Sequence, residues 1–161
     1  MRKHLLWASA SLALIAACGG SAAPAQAPAA RGTTCVNQTA AHHAYVVVEH
    51  LSHATVHRCV GFDGAQIGGE DLMNQSGIKY AAQTFSGVGK AVCQVDGEPA
   101  QFTECFPKDK PYWALYVETA GGPWTDAQVG YTAVNLKDGE ALGWQYRPAT
   151  GSPSPPPLPR K

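Results

Sequence analysis

Five cysteines partition this 161-residue chain, and their placement limits its fold more than any other feature. Cys18 closes an apolar amino-terminal run, while Cys35, Cys59, Cys93 and Cys105 are spread through the body. Residues 5–17 carry no charge and follow the basic Arg2-Lys3-His4. That run is too short for a membrane-spanning helix, which needs about 20 apolar residues, and has the proportions of an export signal. An exported chain matures in an oxidising compartment, so four body cysteines read as two disulfides. Zinc held by thiolates would need pairs two to four residues apart, and no such pair occurs. Three connectivities are open. Pairing of sequence neighbours, Cys35 with Cys59 and Cys93 with Cys105, is favoured because Cys93 and Cys105 flank the turn-forming Asp96-Gly97-Glu98-Pro99.

Five thiols cannot all pair within one molecule, and the fifth has a separate fate. The run ends Ile15-Ala16-Ala17-Cys18 and continues Gly19-Gly20. An aliphatic residue, two small residues and a cysteine resemble the bacterial lipobox. That resemblance implies cleavage before Cys18, a diacylglycerol on its sulfur and anchoring of the exported chain to the cell membrane or the outer membrane. Cleavage after Ala23 or Ala27, giving a plainly secreted protein, is the alternative. The expected organisation is a signal peptide over residues 1–17, an Ala/Pro-rich tether over 18–33, a folded body over 34–148, and a disordered Pro-rich tail over 149–161. The tail holds P-x-x-P spacings, read as a solvated extended segment.

Charge follows the same division. The whole chain has 12 Lys+Arg against 12 Asp+Glu. Residues 34–148 hold all the acids but only seven of the bases, so the body stands at about −5 with its balancing cations at the ends. An acidic body gives no footprint for a nucleic-acid partner.

Hydrophobic patterning predicts a sheet-rich body. Residues 44–50 and 55–62 are β-branched and aromatic runs separated by Ser52-His53-Ala54, which predicts a hairpin. Glu70 and Asp71 open a short helix that stops at Gly77. Residues 79–85, 90–95, 112–118, 129–134 and 144–146 are further predicted strands. Hairpin, helix and strands in that order predict an α+β domain, a small mixed sheet with one short helix on a face.

An ordered set of motifs then resembles a known family. It runs Arg58-Cys59-Val60-x-Phe62, Ile67-Gly68-Gly69-x-x-Leu72, Ser76-Gly77 and Ala91-Val92-Cys93-x-Val95-x-Gly97. It continues Cys105-Phe106, Tyr112-Trp113-Ala114-x-Tyr116, Gly122-x-Trp124 and Asp138-Gly139-Glu140-x-x-Gly143-Trp144. These are similar to bacterial domains related to the carboxy-terminal domain of transcobalamin and intrinsic factor. The resemblance spans roughly residues 44–147 and includes no counterpart of the large helical partner domain of the eukaryotic carriers. It implies a β-grasp-like fold and a domain that lines one side of a corrinoid pocket.

Six aromatic residues form the candidate ligand site: Tyr112, Trp113, Tyr116, Trp124, Trp144 and Tyr146. On a strand Tyr112, Ala114 and Tyr116 share one face and Trp113 and Leu115 the other. One face is therefore expected in the core and the other is free to present rings to a flat or apolar ligand. His42, His43, His50, His53 and His57 crowd one stretch, yet neither H-E-x-x-H nor a zinc-finger spacing occurs, and no metal is assigned. The base-off corrinoid motif D-x-H-x-x-G is absent too. Ser86-Gly87-Val88-Gly89-Lys90 lacks the earlier glycine and the following Ser/Thr of a phosphate loop, and no G-x-S-x-G elbow exists. With its body cysteines oxidised the chain has no thiolate nucleophile. The expectation is a non-enzymatic, lipid-anchored binding domain without a cofactor, for a corrinoid or another flat, apolar ligand. The alternative is a protein-interaction module of a cell-envelope complex.

Overall fold

The computed structural model describes residues 33–151, 154–159 and 161. The expected signal peptide, Cys18 and all of the tether but Thr33 lie outside the described residues. The body is a six-stranded sheet with two small two-stranded ladders and one short helix.

The predicted hairpin forms from β2 (His42–Glu49) and β3 (Thr55–Phe62), with β1 (Cys35–Val36) added in parallel at the outer edge of β3. Between them the His50 N–H donates to the Ala54 carbonyl at 2.9 Å, closing the turn. β4 (Ile67–Gly68) leads into α1 (Gly69–Gln75). Glu70 and Asp71 lie in the first turn of α1, where carboxylates complement the exposed N–H groups. Gly77, at φ +75°, lets the chain leave the helix through the left-handed region that side chains disfavour. β5 (Tyr80–Phe85) and β6 (Gly89–Val95) form a separate hairpin, and β7 (Tyr112–Glu118), β8 (Trp124–Asp126), β9 (Asn135–Leu136) and β10 (Ala141–Arg147) follow. The main sheet has the order β1-β3-β2-β10-β7-β8. Its centre is a parallel pair, β2 with β10, flanked by antiparallel neighbours. A hairpin, a helix and a returning pair inserted beside the hairpin's first strand is the β-grasp-like arrangement.

Register sorts the side chains. Val46 and Val48 on β2 lie beside Leu142 and Trp144 on β10, which lie opposite Val117 and Leu115 on β7. This face meets Leu72 and Met73 of α1, and the Trp144 indole N–H donates to the Met73 sulfur at 3.3 Å. Each wholly buried aliphatic side chain here contributes about 1.5–3 kcal/mol. Two disulfides join the sequence neighbours: Cys35–Cys59 ties β1 to β3, and Cys93–Cys105 ties β6 to the 96–111 segment.

One difference from the sequence reading matters. The strand predicted over residues 129–134 is a loop followed by a 3-10 turn, Tyr131–Ala133. The reason is contact: Gly130 lies against the start of β6, donating its N–H to the Val88 carbonyl at 2.6 Å, while Tyr131 turns into the core. Of the tail, residues 154–159 carry neither helix nor strand, and Pro156 among them is buried.

Candidate functional site

The six aromatic residues do not form one surface. Trp113 and Trp144 are 2% and 1% exposed and belong to the core, as does Tyr146. Trp113 stacks at a tilt on Tyr146, centroids 5.0 Å apart, and its indole N–H donates to the Glu98 carbonyl at 2.9 Å. Tyr116 is buried on the opposite face, where its hydroxyl accepts from the Arg147 guanidinium at 3.3 Å. Burial pushes the Tyr116 phenol above its ordinary value, opposed by Arg147. Trp124, opposite Glu118 by register, lies on that same second face, on the other side of the sheet from the ring pair Trp113–Tyr146.

What the structure does assemble is a groove of about 400 Å³ between the β5–β6 hairpin, the 126–130 loop and β7. The groove exists because β8 pairs only with Tyr116, Val117 and Glu118. The first half of β7 therefore has no strand on that side among the described residues, and only the Ala127 N–H, donating to the Leu115 carbonyl at 3.0 Å, crosses the gap. Tyr112, Trp113 and Trp144 of the expected set line this groove, while Tyr116, Trp124 and Tyr146 do not.

Its walls are apolar and wet. Val88, Phe106 and Val129 are 45%, 50% and 44% exposed, and all three face the groove. Phe85, Phe106 and Tyr112 form a row of rings at 5.5 and 5.9 Å, and the Arg147 guanidinium caps it, 5.1 Å above the Tyr112 ring. Arg147 thus sits at the groove's rim with donors to spare beyond its bond to Tyr116. Lys90, also at the rim, pairs with Glu70 of α1, and that pairing holds its ammonium above the ordinary value. Chemically the groove offers one apolar, aromatic wall and a cationic donor at one end.

Phe85, Val88, Phe106 and Val129 were not among the candidate ligand residues read from the sequence. Two of them carry a signal: Val88 within Gly87-Val88-Gly89 and Phe106 before Pro107-Lys108 are apolar residues in turn or polar surroundings, where no core is at hand to receive them.

The histidines are dispersed. His50 Nδ1 lies 2.6 Å from Glu98 Oε2, and His53 Nδ1 lies 2.8 Å from Glu49 Oε1. Among the described residues no group of three or more His, Cys, Asp or Glu side chains is placed to hold a metal ion. Ser86-Gly87-Val88-Gly89-Lys90 is the tip of the β5–β6 hairpin, not a strand-to-helix phosphate loop.

No family model matches the chain, and none of the curated proteins does. Among solved structures it is similar to one described as a "putative metal binding protein" from Ruminococcus gnavus ATCC 29149. The similarity is 17% in identity, with a TM-score of 0.47, over 68% of this chain and 99% of that one. The fold and site define a disulfide-stapled, sheet-dominated domain with an open apolar groove.

Proposed function

We propose that this chain is an exported, lipid-anchored and non-enzymatic binding domain, and that the groove beside β7 is its ligand site. The observation that carries the reading is convergence: half of the exposed large apolar side chains among the described residues, Val88, Phe106 and Val129, face one groove. Exposing apolar surface has no benefit for folding, so its concentration in one concavity favours a binding role. The ligand the groove suits has a flat or apolar face to lie on Phe85, Phe106 and Tyr112, and an anionic or hydrogen-bond-accepting edge to meet Arg147. A corrinoid, which the transcobalamin-type resemblance implies, has both features.

Trp113 and Trp144 at the groove's base supply the assay. Titration of the full chain with cobalamin, cobinamide and haem should give a saturable fluorescence change with at least one. Phe106→Ala and Val129→Asp should weaken it tenfold or more while leaving the melting transition in place. Absence of any saturable change with all three removes the tetrapyrrole reading.

The second reading, a protein-interaction module of the cell envelope, has its own support in the unpaired first half of β7. An open edge presents free backbone donors and acceptors to an incoming strand. Protection of the Trp113 and Leu115 amides, which face the open side of β7, from hydrogen exchange only in the presence of envelope extract favours it over a small molecule.

A further inference from the structure

The second face of the main sheet, away from α1, has a trough built into it. Its floor is the small pair Ala141 and Gly143 on β10. By register Ala141 lies between Tyr45 on β2 and Glu118 on β7, and Gly143 lies between Val47 and Tyr116. With Pro156 and Trp124 in place, position 143 has no room for a side chain. A Cβ there would stand 2.8 Å from Pro156 Cγ and 2.9 Å from two ring carbons of Trp124. The missing side chain leaves a notch in which proline and indole meet.

The chain's own tail occupies this trough. Pro156 fills the notch, and the Lys161 ammonium reaches Glu118 Oε1 at 3.3 Å while lying 5.9 Å over the Tyr45 ring. Glu118 is an unusual residue for a sheet face: it is 2% exposed, and its other oxygen, Oε2, is buried with no hydrogen-bond partner among the described residues. Oε1 also accepts the Gly121 N–H at 2.9 Å. An isolated buried carboxylate is costly unless a cation meets it, so the site is built around a positive charge. The body is acidic and the tail basic, which gives the pairing its long-range sense. A polyproline-type segment suits such a trough because it is already extended and loses little entropy on docking.

We propose that the Ala141–Gly143 trough is a recognition site for an extended proline-rich segment carrying a cation downstream of the docked proline. The chain's own tail is its resident ligand, and a partner segment of the same chemistry displaces it. Gly143 and Trp124 read the proline; Glu118 and the Tyr45 ring read the charge. The groove beside β7 plays no part in this, so either site stands without the other.

The test keeps the full chain and weakens only the tail. A fluorescent peptide Ser-Pro-Pro-Pro-Leu-Pro-Arg-Lys is titrated into the wild type and into the Pro156→Gly/Lys161→Ala variant, with anisotropy as the readout. A tethered tail has an effective concentration of about millimolar. A peptide of about 100 μM affinity should therefore bind the weakened-tail variant about tenfold more tightly than the wild type. Adding Glu118→Gln should abolish that gain, and a peptide ending in Ala-Ala in place of Arg-Lys should bind neither. Gly143→Val should block binding as well; Trp124→Leu serves the same purpose where that variant fails to melt cooperatively. Equal binding by wild type and weakened-tail variant, or no binding by the latter in its folded state, overturns the proposal.

Discussion

Gly130→Ala is the substitution that best tests how the groove is held. An ideal Cβ at Gly130 would stand 2.4 Å from the Lys90 carbonyl oxygen, 2.8 Å from the Lys90 nitrogen and 2.9 Å from the Gly89 carbonyl carbon. All three are backbone atoms, so no side chain can swing aside. The 126–130 loop must back away from β6 by several tenths of an ångström. That movement stretches the 2.6 Å bond from the Gly130 N–H to the Val88 carbonyl and the 3.0 Å bond from the Lys90 N–H to Thr132 Oγ1. Overpacking costs about 1–3 kcal/mol, and each weakened hydrogen bond up to about 1 kcal/mol. Alanine recovers about 0.4–1 kcal/mol by restricting the unfolded chain. The net loss is about 2–3 kcal/mol, which for a body of this size lowers Tm by about 8–12 °C. Thermal unfolding followed by circular dichroism is the assay. Gly64→Ala is the control: its Cβ would meet nothing nearer than the Gln66 carbonyl at 3.4 Å, and its Tm should stay within about 2 °C of wild type. A Gly130→Ala protein that melts with the control would refute the reasoning. The same variant should also lose ligand-induced fluorescence change, since Val129 moves with the loop.

Reduction of the disulfides should destabilise the body by about 3 kcal/mol for each bridge, given closed segments of 24 and 12 residues. An unchanged transition under reductant would argue against them. Burial raises the phenol of Tyr131 furthest, and those of Tyr116 and Tyr146 also. The unfolded chain ionises near pH 10 while these folded tyrosines stay protonated, so their stabilising effect is complete below about pH 10 and is lost as pH rises above it. Absorbance at 295 nm should show them titrating only together with alkaline unfolding; ionisation in a still-folded protein would contradict their burial. Cys18→Ala should abolish incorporation of labelled palmitate and release the chain from the membrane fraction, whereas continued labelling would place the anchor elsewhere.

The fold was readable wherever a local signal coincided with a tertiary role. Residues 55–62 alternate little and are rich in β-branched side chains, and they form β3 over the same span. Glu70, Asp71 and Gly77 bracket α1 because carboxylates and a left-handed residue act on the helix ends without help from the rest of the chain. Val129, by contrast, has strand composition and no strand. Its segment is held by a backbone approach at Gly130 that only β6 can supply, and β6 is remote in sequence.

The aromatic residues divide in the same way. Tyr112 and Trp113 were recognisable as a strand with two faces, and both faces exist. Which rings enter the core was decided by β10, which pairs with β7 on one side and β2 on the other and is buried on both faces from Ala141 to Tyr146. Composition alone determined that the body would be acidic, sheet-rich and fit for two disulfides, because charge, β-propensity and thiol count are properties of residues taken singly. The groove and the tail's trough were settled only in three dimensions. Each depends on side chains that are absent or strands that end early: Gly130 against β6, Gly143 under Pro156, and β8 stopping short of the first half of β7. A gap between distant segments is a property of their packing, and no single stretch of sequence contains it.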